Sequence, residues 1–133
     1  MLKQRDNYQK IVNELIEKSF PELGNWEIKV TEKDLGNFKG KIKFYPWEKC
    51  IFVDTKVRKT HPRLGIIGLL VHELCHFSIF KKNNWGWFKV NFDYLCYSLS
   101  KDYRKRVEGE VEKMILEKGY KKENKILHNI KKW

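Results

Sequence analysis

The sequence predicts an α+β fold in one domain spanning residues 1–133, on three observations. Helical periodicity marks both ends of the chain, alternating apolar and polar residues fill the stretch from Trp26 to Asp54, and no repeat or low-complexity linker divides them. With 41% apolar and 14% aromatic residues, the chain can bury a core of its own. Tyr8, Ile11, Val12, Leu15, Ile16 and Phe20 form the apolar stripe of an N-terminal helix, with Asp6 and Gln9 as a capping pair and Phe20-Pro21 as its stop. Trp26–Val30, Lys41–Phe44 and Cys50–Val53 read as three strands of a small sheet, separated by Gly36, Gly40 and Tyr45-Pro46-Trp47. After Thr60-His61-Pro62 a helix runs to about Lys82 and ends at Asn83-Asn84. Trp85-Gly86-Trp87-Phe88 reads as an aromatic loop, suited to a cleft wall or to self-association. A short helix over Asp93–Leu99 follows, then a longer one over Ser100–Lys118. The latter carries Tyr103, Val107, Val111, Met114 and Ile115 on one face and Gly119 as its stop. Residues 121–133 read as a basic tail with a turn or two of helix.

Charge narrows the classes of function. Lys and Arg number 28 against 17 acidic residues, for a net charge of +11, and 23 of the 28 are lysine. They are spread along the chain, with no Arg-rich stripe and no separate binding module. Contact with nucleic acid is therefore expected to be non-specific, and a DNA-associated protein, or a protease of DNA-bound proteins, is the second reading. The longest apolar run, Leu64–Val71, is far short of the roughly 20 residues that span a bilayer, so no membrane span is expected. Met1–Asp6 lacks the apolar stretch of a secretory signal, which points to the cytoplasm. Cys50, Cys75 and Cys96 are odd in number and lack CxxC spacing, which argues against a disulfide framework and a zinc ribbon.

The segment that carries chemistry is His72-Glu73-Leu74-Cys75-His76, an HExxH within an apolar helix. Spacing of four residues places both imidazoles on one face, one turn apart, where both can reach a single Zn2+. Glu73 is rotated about 100° from His72, which suits it to take a proton from a zinc-held water rather than to ligate. Chance alone yields this pattern in roughly 1% of chains of this composition. Burying two histidines and a glutamate between Leu69-Leu70-Val71 and Phe77-Ser78-Ile79-Phe80 is costly unless a metal compensates. A catalytic zinc needs a third protein ligand and one open position. Val107-Glu108-Gly109-Glu110-Val111-Glu112 offers three carboxylates. Periodicity puts Glu108 and Glu110 on the two flanks of the Val107/Val111 stripe and turns Glu112 further out, without choosing between the first two. His61 and His128 are the remaining imidazoles.

HELCH followed by Glu108-Gly-Glu-Val-Glu112 and Glu117-Lys-Gly-Tyr120 resembles the gluzincin metallopeptidases, above all the minigluzincins and the catalytic domains of HtpX-like membrane proteases. The resemblance covers roughly residues 1–120 and implies a zincin-like domain that hydrolyses peptide bonds. In the HtpX-like signature Glu-x-x-Ala-Asp the glutamate is the third zinc ligand and the later acid supports a ligand histidine. Laid on this chain, that implies Glu108 as ligand and Glu112 as support, with Val for Ala and Glu for Asp. The minigluzincins use a histidine as third ligand, and none lies between His76 and His128 here. The resemblance thus implies a soluble enzyme acting on peptide or protein substrates, with Glu73 as general base. Tyr94, Tyr97 and Tyr103 are candidates for oxyanion stabilisation, and an edge strand is expected to bind extended substrate. Minigluzincins resemble latent enzymes plugged by their C-terminal segment, which would make residues 121–133 a regulatory tail and His128 its contact. A catalytically silent zinc scaffold is the third reading.

Overall fold

In the computed structural model, which describes residues 7–84 and 86–130 (without the side chains of Trp87 and Phe88), the first helix starts from a side-chain cap at Asn7. Its Oδ1 accepts from the Gln9 N–H at 2.8 Å. Asp6, the expected cap, lies outside the described residues. Helix α1 (Tyr8–Ser19) buries Tyr8, Ile11, Val12 and Leu15 along the expected stripe. It closes where the Phe20 N–H donates to the Leu15 and Ile16 carbonyls and Pro21 can continue no further.

Three strands form a mixed sheet, as the alternation predicts: β1 (Ile28–Lys33), β2 (Gly40–Tyr45) and β3 (Glu48–Asp54), in the order β1-β3-β2. β3 pairs parallel with β1 and antiparallel with β2, with Val30 and Ile42 both opposite Ile51. β1 starts at Ile28 rather than Trp26, because the Trp26 N–H donates to the Leu23 carbonyl in a turn. The Trp26 ring instead packs edge-on against Phe44 and Phe77, with centroids 5.6 and 6.4 Å away. The two edges of the sheet are handled differently. Gln9 reaches from α1 to the β1 edge, donating to the Ile28 carbonyl and accepting from the Val30 N–H, both at 2.9 Å. This amide satisfies backbone groups that an edge would otherwise leave open. The β2 edge borders a cleft.

A short turn of helix, α2 (Val57–Thr60), leads into α3 (Arg63–Lys82), the central element. Thirteen of its 20 residues are buried, so it is apolar nearly all round. Its mean hydropathy over an 18-residue window is 1.4, long and apolar enough by composition to cross a membrane, although no single apolar run reveals it. In this fold 67% of that window is buried inside the protein, against the sheet, α1, α5 and α6. Leu70, Leu74 and Phe77 are wholly buried there, each worth about 1.5–3 kcal/mol relative to exposure.

Two expectations about the second half need correction. The aromatic segment is not a loop: Gly86 is the N-cap of α4 (Trp87–Leu99), which absorbs the expected short helix, while Trp85 lies outside the described residues. Residues 121–130 do hold the expected turn or two of helix, but as a packed element rather than a basic tail. α5 (Lys101–Glu117), capped by the Ser100 hydroxyl, ends at Gly119 with φ of +88°, and the chain turns into α6 (Lys121–Asn129). α6 lies flat against α3. A Cβ built on Gly68 would stand 2.5 Å from the Glu123 carbonyl oxygen, so only glycine permits the approach. Cys50 and Cys75 are buried and Cys96 half-buried, all as free thiols.

Candidate metal centre

Helical geometry brings the first two donors together. His72 and His76 stand one turn apart on α3, with ring centroids 5.1 Å apart and planes inclined at 68°. Both rings are largely buried, yet both line a cleft of about 620 Å³ walled by β2, α3, α4 and α5. The third donor comes from α5. Glu108 places one carboxylate oxygen 3.6 Å from His72 Nε2 and the other 4.0 Å from His76 Nε2. The hydroxyl of Tyr97, on α4, donates to Glu108 Oε1 at 2.6 Å and holds the carboxylate in that pose.

Glu108 thus stands where Glu110 and Glu112 do not. Glu110 is exposed and borders a separate surface groove with Lys82 and Lys113. The Glu112 carboxylate, expected against a ligand histidine, instead meets α6: Asn124 Nδ2 donates to Oε2 at 2.7 Å and His128 Nε2 lies 3.0 Å from Oε1. His128 is therefore engaged with Glu112 rather than plugged into the cleft, which no residue of α6 lines. Tyr94 and Tyr97 face the cleft. Tyr103 does not line it, its hydroxyl being bonded to the Asp93 carboxylate. Asp93, buried in the cleft wall, was not singled out by sequence, and neither were Phe38, Phe80 and Arg104 beside it. The apolar run flanking the motif gives a signal for Phe80; nothing local marks Asp93 or Arg104.

Burial sets the electrostatics. It presses His72 below the usual imidazole range, against the opposing pull of Glu108 and Glu112, and takes His76 down to about 3. Both rings are neutral near pH 7, with lone pairs available to a cation. Glu73, whose Oε1 is 4.0 Å from His72 Nε2, is pushed up to about 8, first by burial and then by the negative charge of Glu108. Burial also raises Tyr94 and Tyr97 well above the ordinary phenol value, Tyr97 further through its bond to Glu108, so both stay protonated donors.

The donor set suits a divalent metal. Ligand atoms of His72, His76 and Glu108 all lie within 4.8 Å of one another, and tetrahedral ligation at about 2.0–2.1 Å would draw such atoms to roughly 3.3 Å apart. Small side-chain adjustments close that difference. His72 Nδ1 is buried and without a hydrogen-bond partner, which leaves Nε2, the nitrogen beside Glu108, as the ring atom turned toward the other donors. No family model, curated protein or solved structure matches the chain, so the site's chemistry rests on its own residues.

Proposed function

We propose that this chain is a zinc-dependent metallopeptidase of gluzincin type with a zincin-like fold. One observation carries the reading: His72 and His76 from α3 converge with Glu108 from α5 in one cleft, with the Glu73 carboxyl beside them. Zinc bound there would supply a Lewis acid for a peptide carbonyl, lower the pKa of water toward 7 and favour the ionised form of Glu73. Glu73 is then the general base, taking the proton of the attacking water and passing it to the leaving amine. Tyr97 positions Glu108 through its 2.6 Å hydrogen bond. Tyr94, a phenol protonated at neutral pH that lines the cleft, is left as the phenolic donor for the oxyanion. Lys41 and Ile42 bring the β2 edge into the cleft, where an extended peptide can add as a further strand, whereas Gln9 occupies the β1 edge.

Glu73→Gln tests this reading against a silent zinc scaffold. Wild type is expected to take up one zinc and hydrolyse a mixed peptide library; the variant keeps the zinc and loses hydrolysis. Failure of wild type to take up zinc after reconstitution overturns the reading. Stoichiometric zinc with no cleavage of any peptide favours the scaffold.

A further inference from the structure

Tyr120, the N-cap of α6, forms a buried stripe with Asn124 and Leu127 of that helix, and the polar member has no counterpart in an ordinary apolar face. Asn124 is only 7% exposed. Its Nδ2 donates to Glu112 Oε2 at 2.7 Å, and because a carboxylate only accepts, that bond fixes which end of the amide carries the oxygen. The other Glu112 oxygen is held 3.0 Å from His128 Nε2. Asn124 Oδ1 and His72 Nδ1 are both left buried without a hydrogen-bond partner. A buried polar group without a partner costs about 1–3 kcal/mol. Asn124 Oδ1 can only accept and an imidazole Nδ1 can donate, and Gly68, which shares a face of α3 with His72, packs directly against α6. A Cβ on Gly68, one turn before His72, would stand 3.4 Å from the Asn124 backbone nitrogen, and the charges of Glu112 and His128 both act on His72.

We propose that Asn124 is a positioning residue for His72: its Oδ1 accepts the Nδ1–H of the imidazole once Nε2 is committed to the metal, with Glu112 and His128 locking the amide. The proposal rests on the metal reading above and extends it to a helix that touches none of the cleft. A ring nitrogen that ligates through Nε2 must carry its proton on Nδ1, and an acceptor there fixes both tautomer and ring orientation.

The test uses the full chain labelled with 15N-histidine and loaded with zinc. In wild type the His72 Nδ1–H is expected as a slowly exchanging resonance with cross-relaxation to the Asn124 side chain. Asn124→Ala is expected to keep the amide spectrum of the fold, lose the His72 resonance but not that of His76, and bind zinc at least about tenfold more weakly against a chelator. Normal zinc uptake with a His72 Nδ1–H that exchanges freely in wild type overturns the proposal alone, and so does a folded Asn124→Ala with unchanged affinity. If that variant does not fold, the wild-type spectrum decides. Absence of zinc uptake by wild type overturns the metal reading and this proposal together.

Discussion

Glu108 and Glu112 stand one turn apart on α5 and have opposite fates. Glu108 faces the two imidazoles and accepts from Tyr97; Glu112, one turn further along the same face, lies outside the cleft lining and binds Asn124 and His128 on α6. Glu108 ties α5 to α3 and α4, and Glu112 ties it to α6, so one face of one helix serves the cleft at one turn and the fold at the next. The difference lies outside α5. α4 delivers the tyrosine that selects Glu108, and the glycine-lined face of α3 lets α6 come close enough to claim Glu112.

That contrast can be broken by exchanging each carboxylate for its amide. Glu108→Gln is expected to weaken zinc binding by more than about 100-fold in a chelator competition, because it removes an anionic ligand, whereas Glu112→Gln changes affinity by less than about tenfold. Equal losses would put both residues in one role. A second difference appears in the metal-free chain. A carboxyl raised from its ordinary value to about 8 must ionise at cost in the folded state, so Glu73 removes stability as pH rises toward 8. His72 and His76, both lowered, remove stability only as pH falls below about 6.5. Between pH 6.5 and 8 the Glu73 contribution acts alone among these three, and stability should fall by about 2 kcal/mol in urea titrations. Glu73→Gln should abolish the slope, Glu108→Gln should reduce it, and Glu112→Gln should leave it.

Two glycines differ in the same way. Gly68→Ala drives a Cβ into the Glu123 carbonyl and should destabilise by about 1–3 kcal/mol, measured by thermal unfolding. Gly109→Ala, beside Glu108 but with nothing within 4 Å of its added Cβ, should stabilise by up to about 1 kcal/mol through helix propensity. A loss at Gly109 would mean that α5 is more tightly enclosed near the cleft than its neighbours suggest. Tyr97→Phe has the smallest expected effect on metal binding, about 1 kcal/mol or a fewfold, from the loss of one hydrogen bond to Glu108.

Legibility in the sequence follows the range of the interactions. α1 and the three strands are readable because their apolar residues repeat at the period of the element they form, although the cap of α1 is Asn7 rather than the expected Asp6. The first half of the Trp87–Leu99 helix is not legible, since a Gly between aromatics resembles a loop until Gly86 is placed as an N-cap. The helical turns of α6 are legible, but its lysines conceal that it packs against α3. Tyr120, Asn124 and Leu127 are spaced for one helical face, but the surface they cover exists only because Gly65 and Gly68 thin the facing side of α3. Asn124 itself could have been noticed as the polar residue on that stripe.

Within HExxH, the spacing of the two histidines alone determined that their rings share a face, because an α-helix repeats locally and needs no partner to do so. Tertiary structure alone decided which glutamate of α5 joins them and which residues stand behind His72. The orientation of α5 is set by packing against α3, α4 and α6, and those contacts join residues that neither helical nor strand periodicity relates.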